Sequence, residues 1–136
     1  MTKKESRRAD KPEDAPPGED DPEVLLDVLV DGGKLWFVLA NDSNRPAFHV
    51  SVDFEQTIRG AGGDLDVSGL PIFRNLGLLR RGRDVRVFVD VAPHFFAREK
   101  VHELRARVSW ESREGKRFAQ RFRHDLTVWR DFGEIG

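Results

Sequence analysis

Apolar residues recur at every second position in several segments of this chain, and this two-residue period limits the folds that it can adopt. The clearest case is Val24–Asp31, which has valine or leucine at every even-numbered position and is followed by Gly32-Gly33. A period of two places alternate side chains on opposite faces of a β-strand. A Gly-Gly pair between two such segments is typical of a hairpin turn. The chain is therefore expected to consist mainly of antiparallel strands.

Further strands follow from the same pattern. They are predicted at Lys34–Asn41, Ala47–Glu55, Val85–Val91, Leu104–Trp110 and Phe118–Val128. In Ala47–Glu55 the inward-pointing side chains are expected to be Phe48, Val50, Val52 and Phe54. Valines 85, 87, 89 and 91 are expected to share one face of their strand.

The stretch Thr57–Arg83 has a weaker pattern, with short strands expected at Leu65/Val67 and Ile72/Phe73. Pro93–His102 is expected to hold at most one short helical turn. About seven strands, turn signals roughly every ten residues and the lack of a long helical period predict an all-β fold. The expected architecture is an antiparallel Ig-like β-sandwich.

A resemblance to a known group of domains agrees with this architecture. The sequence LANDSNRPAFHV at residues 39–50 is similar to the V-x-N-x-G-x-x-P-A-x-x-V strand–turn–strand of bacterial Ig-like adhesion-type and accessory domains. Residues 78–85, LLRRGRDV, resemble the L-x-P-G-E-x-x-x-V turn of the same domains, with Arg81 in place of the usual Pro. The resemblance implies a fold and a binding or spacer role, and it implies no catalytic activity.

The N-terminal part differs in composition from the rest of the chain. Residues 1–23 contain five Lys or Arg and eight Asp or Glu, several prolines and almost no large apolar side chain. Such a segment cannot offset its ordering entropy by burial. It is predicted to be a disordered, solubilising tail or, alternatively, a short docking peptide, in front of a single domain at 24–136. Deletion of Met1–Pro22 is then expected to change the melting temperature by less than about 2 °C.

Composition also excludes several kinds of site. The chain has no Cys, so it has no disulfide, no thiolate nucleophile and no thiolate metal ligand. Its start lacks the apolar region of a signal peptide, and no stretch approaches the roughly 18 apolar residues of a membrane span. These features predict a cytoplasmic protein, and the resemblance described above implies a bacterial one.

Motifs for catalysis or ligand binding are weak. Asp64–Gly69 matches the opening of a calcium loop, but the twelfth position holds Asn75 instead of the bidentate Glu. A strand that ends in a Ser-Gly turn explains these residues better. No pair of the four His has metal-site spacing, and His124 is expected at the edge of the core with a hydrogen bond to backbone. The prediction is a protein that is not an enzyme, without catalytic, metal or cofactor residues.

One polar surface follows from the geometry of the last hairpin. A three-residue loop with Gly115 in a left-handed conformation places Ser112 opposite Lys116, so that Trp110 and Phe118 face each other in the core. The same register places two pairs of arginines opposite each other on the outer face, which is unfavourable for like charges. The pairs are Arg107 with Arg121 and Arg105 with Arg123.

Two interpretations of these arginines remain open. Asp53 and Glu55 on a neighbouring strand would balance them in an exposed charge network. Alternatively, they bind an anionic partner, which would be an acidic protein segment, phosphate or nucleic acid. Nucleic acid is the less favoured partner, because no aromatic side chain lies between the arginines to stack on bases.

A second candidate surface is apolar. Lys34–Asn41 is apolar on both faces, so that either Trp36 or Phe37 must point away from the core, and Phe88 is expected beside it. Alternatively, the tail, Thr57–Arg83 or Trp129–Ile135 covers this patch.

The function predicted from sequence is a non-catalytic protein-interaction or accessory module. Its partner would be another protein or a second copy of the chain. An anion or nucleic-acid binder is the alternative, and an enzyme is the third possibility.

Overall fold

The computed structural model describes residues 16–130, so the predicted tail up to residue 15 and the last six residues lie outside the described part. The fold is all-β, as the sequence predicts. Its strands are β1 (Val24–Asp31), β2 (Lys34–Asn41), β3 (Ala47–Phe54), β4 (Arg59–Gly60), β5 (Leu65–Asp66), β6 (Leu76–Leu79), β7 (Asp84–Val91), β8 (Glu103–Glu111) and β9 (Arg117–Asp125). Two short helices, α1 (Pro71–Arg74) and α2 (Ala92–Arg98), precede β6 and β8 respectively, and residues 127–130 form a further helical turn.

Two antiparallel sheets contain most of these strands. The larger sheet has the strand order β9-β8-β3-β6 and the smaller one β1-β2-β7, while β4 and β5 form a separate two-stranded ribbon. The inner faces of both sheets contribute to one hydrophobic core. Phe37 and Leu39 of β2 are fully buried there, as are Val108 of β8 and Phe118 of β9. The fold is thus two sheets packed around a shared core.

The last hairpin has the register that the sequence predicts. Trp110 pairs with Phe118 and Ser112 N–H donates to the Lys116 carbonyl, while Gly115 has a φ of 87°. The rings of Trp110 and Phe118 are stacked, with their centroids 6.0 Å apart. The core prediction for these two aromatic residues is confirmed.

A β-bulge in β3 makes one part of the predicted alternation wrong. Phe48 pairs with Glu111 and Ser51 pairs with Ser109, so β3 has one more residue than β8 between these points. His49, with a φ of 51°, lies in this bulge. Ala47 is therefore fully buried, and Phe48 lies on the outer face instead of the inner one.

The valine alternation in β7 is interrupted in the same way. The register between β2 and β7 shifts at Leu35/Trp36. Beyond this shift Asp90 is buried, with only 3% of its surface exposed, whereas Val91 is 38% exposed. The prediction that Val91 shares an inner face with Val89 is wrong, because the extra residue reverses which side chains face inward.

The segment from Thr57 to Arg83 contributes more to the core than its sequence suggests. Ile72 and Phe73, predicted as a strand, lie in helix α1, and Val67 begins a 3-10 turn after the two-residue strand β5. Ile58, Val67 and Phe73 are buried in the common core. A Cβ atom at Gly60 would collide with the Val89 carbonyl, so this glycine allows the segment to approach β7 closely.

A buried asparagine fixes the connection between the two sheets. Asn41 is 2% exposed, and its side-chain amide donates to the carbonyls of Arg45 at 2.7 Å and Leu79 at 2.9 Å. Its side-chain oxygen accepts hydrogen bonds from the backbone and the hydroxyl of Ser43. All four hydrogen-bonding positions of the amide are thus used, and the end of β2 is joined to β6.

Substitution of this residue is expected to destabilise the fold. Asn41→Ala should lower the free energy of unfolding by about 2–3 kcal/mol, because the buried Leu79 carbonyl loses its donor and the turn loses its bond to Arg45. Asn44→Ala, the same substitution at an exposed position three residues later, should change it by less than about 0.5 kcal/mol. Urea titration of both variants measures the difference. Equal stabilities would mean that the Asn41 network contributes nothing.

The C-terminal end of the predicted tail contacts the domain. Pro22 is buried, and its carbonyl accepts a 2.8 Å hydrogen bond from the indole N–H of Trp110. Asp21 lies 3.8 Å from the ammonium group of Lys116. These contacts change the expectation for truncation of the chain.

Deletion of residues 1–22 should lower the melting temperature by about 3–6 °C relative to deletion of residues 1–15. The longer deletion removes the acceptor of a buried indole N–H, which is worth about 1 kcal/mol. Differential scanning calorimetry of the two truncated chains measures this difference. Identical melting temperatures would show that the bond between Trp110 and Pro22 contributes nothing to stability.

Candidate interaction surfaces

The outer face of the smaller sheet carries a row of apolar side chains. Leu29, Trp36 and Phe88 lie opposite one another on β1, β2 and β7. The rings of Trp36 and Phe88 meet edge to face, with centroids 5.6 Å apart, and Phe88 is 40% exposed. We refer to this row, together with the other apolar residues on the same face, as the aromatic face: Leu25, Leu29, Trp36, Val38, Ala40 and Phe88.

The register of β2 explains which of its aromatic residues faces outward. Phe37 is fully buried and stacks on Phe54 at 5.8 Å, so it belongs to the core and not to the predicted patch. Trp36 and Phe88, in contrast, are brought together as expected. Thr57–Arg83 does not supply the cover considered for this patch, because Ile58, Val67 and Phe73 are buried in the core instead.

Charged residues lie at the edges of the aromatic face and also across it. Arg86 of β7 lies 3.4 Å from Asp31 of β1 in an exposed ion pair, and because β2 lies between these two strands, the pair crosses the outer side of β2. Asp27 and Lys34 are exposed on the outer sides of β1 and β2. Protein–protein interfaces commonly combine apolar residues with polar ones at the rim. Trp is enriched among the residues that dominate binding energy in such interfaces.

The four arginines of the last hairpin are placed as the sequence predicts. Arg107 is opposite Arg121, and Arg105 is opposite Arg123. We refer to these four residues as the arginine face. Carboxylates lie among them: Arg121 is 3.4 Å from Glu55, while Glu103 is 3.5 Å from Arg123 and 3.8 Å from Arg105.

The remaining arginine of this face also lies beside an acidic residue. Arg107 is paired in register with Asp53 of β3. Three carboxylates therefore accompany four guanidinium groups, one more than the two that the sequence indicated. The added group is Glu103, whose position opposite Asp125 on the same hairpin could have been read from the register. This arrangement supports the interpretation as an exposed charge network.

Another cluster of arginines was missed by the sequence analysis. At the edge of the larger sheet, an open cavity of about 430 Å³ is lined by Pro46, Phe48, Leu78, Arg80, Arg81 and Arg113. The guanidinium carbon of Arg113 lies 5.4 Å from the centre of the Phe48 ring. The alternation pattern had assigned Phe48 to the core, and only the bulge at His49 turns it outward. We refer to these residues as the Phe48 cavity.

A buried ionic cluster lies between β7 and α2. The Asp90 carboxylate accepts hydrogen bonds from Arg98 at 2.8 Å, from Gly62 N–H at 3.2 Å and from Val91 N–H at 2.8 Å. Burial alone would raise the pKa of Asp90, but these hydrogen bonds and the charge of Arg98 outweigh it and lower the pKa below its usual value. Arg98 also donates to Glu99 and to the Arg59 carbonyl. The cluster connects α2 and the ribbon to the sheet.

The residues considered for metal binding do not assemble into a site. The Asp66 carboxylate accepts a hydrogen bond from the Ser68 hydroxyl in the turn after β5. The ring Nε2 of His124 lies 2.6 Å from the Leu26 carbonyl, which confirms the expected backbone bond. In the described residues, no group of three or more His, Asp or Glu side chains is placed to hold a metal ion.

Comparison with known proteins gives no family for this chain. No protein-family model matches it, and no similar curated protein or solved structure is found. Within residues 16–130, neither the length nor the apolarity of any helix is sufficient for a membrane span.

Proposed function

We propose that this protein is a non-catalytic interaction module that binds another protein through its aromatic face. The observation that carries the proposal is the row of Leu29, Trp36 and Phe88 on the outer side of the smaller sheet. Trp36 and Phe88 form a preformed edge-to-face pair, so that little side-chain entropy would be lost when a partner covers them.

The strand order supports an Ig-like assignment for the module. In Ig-like sandwiches the first, second and fifth strands share one sheet, while the third, sixth and seventh share the other. Here β1, β2 and β7 correspond to the first set and β3, β8 and β9 to the second, with β6 added beside β3. One fold hosts many unrelated functions, so the residues on the surface must carry the functional argument. A bacterial and cytoplasmic origin stays a prediction from the sequence.

Affinity capture with matched variants tests the proposal. The native chain and the double variant Trp36→Ser/Phe88→Ser serve as baits in a lysate of the source cell. The double variant should retain at most about a tenth of each specific partner, because two central aromatic contacts are lost. Leu65→Ser and Val128→Ser remove other exposed apolar side chains and should retain capture. Equal capture by native chain and double variant would contradict a role for the aromatic face.

The same baits distinguish a second copy from a different partner. If the chain binds itself through the aromatic face, sedimentation velocity of the purified native protein shows a dimer that the double variant lacks. If the partner is a different protein, the purified native chain sediments as a monomer and the captured protein appears only from lysate.

A further inference from the structure

The Phe48 cavity differs in charge from the arginine face. Its lining contains three arginines and no carboxylate, and within residues 16–130 Arg80, Arg81 and Arg113 form no ion pair. Arg113 also lines two neighbouring cavities that contain acidic residues: Glu111 in one, and Asp20, Asp21 and Glu114 in the other. Arg80 and Arg81 have no carboxylate in the lining of their cavity, whereas the guanidinium groups of the arginine face have carboxylates beside them. The unmatched positive charge of the Phe48 cavity therefore lies mainly at Arg80 and Arg81.

The floor of this cavity is apolar. Phe48 lies opposite Leu78 in the pairing of β3 with β6, and Leu78 is 44% exposed. Pro46 completes the apolar part of the lining. Arginine groups around an apolar floor suit a ligand that presents both a carboxylate and an apolar side chain, because guanidinium groups bind carboxylates in a bidentate manner.

Strand β6 provides a third feature of the site. It is an edge strand of the larger sheet and pairs, among the described residues, only with β3. Gly77 at its centre is exposed and has open space where a side chain would be. An extended peptide can add to such an edge through main-chain hydrogen bonds. Arg80 and Arg81 directly follow the strand, so a basic segment would be repelled from it.

From the charge, the apolar floor and the free edge together, we propose that the Phe48 cavity binds an extended acidic segment of a partner protein. The backbone of that segment pairs with β6, an apolar side chain covers Phe48 and Leu78, and its carboxylates bind Arg80, Arg81 and Arg113. This site deepens the proposed interaction role and rests on it, but it lies on the opposite sheet from the aromatic face. Loss of one site leaves the other unchanged.

A designed peptide provides the test. The probe is a fluorescent hexapeptide of alternating Glu and Leu, with a second peptide that has Lys in place of Glu, titrated against the full chain at about 50 and 200 mM salt. The acidic peptide should bind with an affinity that falls as salt rises, and the basic peptide should not bind. Bound peptide should slow the amide exchange of residues 76–79, because their backbone groups acquire partners.

Charge-matched variants assign the binding to this cavity. Arg80→Glu/Arg81→Glu should weaken binding of the acidic peptide at least about tenfold. Arg121→Glu/Arg123→Glu makes the same change of charge on the arginine face and should leave the affinity within about twofold. Trp36→Ser/Phe88→Ser should bind the peptide as the native chain does, which separates a failure of this site from a failure of the aromatic face.

Three results would overturn the proposal. The first is no binding of the acidic peptide at the lower salt concentration. The second is equal weakening by the two charge-reversal variants, which would indicate an unspecific attraction. The third is a single-stranded oligonucleotide that binds more tightly than the peptide and depends equally on Arg80 and Arg81, which would assign the cavity to nucleic acid.

Discussion

Trp110→Ala should lower the free energy of unfolding by about 3–5 kcal/mol, the largest effect expected for a single substitution in this protein. Trp110 is 1% exposed and stacks on Phe118 between the two sheets. Its removal leaves a cavity that neighbouring strands cannot close without breaking their pairing. It also leaves the Pro22 carbonyl without its donor. Such a loss approaches the total stability of many single domains.

Chemical denaturation and a milder variant measure this effect. Trp110→Phe retains an aromatic ring but removes the hydrogen bond to Pro22, and it should cost about 1–2 kcal/mol. If Trp110→Ala unfolds at the same denaturant concentration as the native chain, the register of β8 with β9 cannot place Trp110 in the core.

Asp90→Ala should lower the free energy of unfolding by about 3 kcal/mol, because the partly buried Arg98 would lose one of its two charged partners and keep only Glu99. The side chains of Asp90 and Arg98 are 5% and 29% exposed, so water compensates only in part. Two backbone N–H groups, of Gly62 and Val91, lose their acceptor as well. Asp84→Ala alters an exposed residue of the same strand and should change stability by less than about 0.5 kcal/mol.

The pH dependence of stability gives an independent measurement. The pKa of Asp90 is lowered in the folded chain, so its contribution is fully present above the pKa of the unfolded chain and is lost as the pH falls through the lower folded pKa. The native chain should therefore lose stability relative to Asp90→Asn as the pH falls below about 4. A constant difference in free energy between the two proteins from about pH 6 to about pH 3 would show that Asp90 is not held as a charged partner of Arg98.

The regular parts of the fold follow from local sequence pattern. In β8 the alternation is strict, and Gly115 marks the loop to β9, so the register and both Arg–Arg pairs were predictable. In β1 the inward residues Val24, Leu26 and Val28 are also those of the even-numbered pattern. β8 pairs with β9, and β1 pairs with β2, without a bulge. In these hairpins the two-residue period of the sequence is therefore sufficient to predict which side chains face the core.

Bulges made the less regular parts unpredictable. An inserted residue reverses the inward and outward positions beyond it, and neither His49 nor the shift opposite Leu35 has a clear local signal. Phe48 and Val91 were therefore assigned to the wrong faces, and the Phe48 cavity and the Asp90 cluster were missed. In Thr57–Arg83 the alternating segments are too short to predict secondary structure from sequence. The structure of this stretch depends on the packing of Ile58, Val67 and Phe73 in the core.

The candidate surfaces were predictable only where they lie on strands with a regular alternation. The sequence placed all four residues of the arginine face, and the same register could also have placed Glu103, whose contacts with Arg105 and Arg123 the structure then shows. For the aromatic face, a strand that is apolar on both sides does not reveal which side is buried. The strand pairing shows that Trp36 faces outward, because it lies opposite Leu29 on one side and Phe88 on the other, and both of these residues are on the outer face.

Site-specific photo-crosslinking tests most directly whether the aromatic face binds a protein. A photoreactive phenylalanine analogue is placed at position 88 and, in control chains, at positions 65 and 128, which also carry exposed apolar side chains. Each chain is irradiated in a lysate of the source cell, with and without excess native protein as competitor. The proposed function predicts a discrete protein adduct at position 88 that the native chain competes away and the Trp36→Ser/Phe88→Ser variant does not. No adduct at position 88, or the same adduct from all three positions, would contradict it.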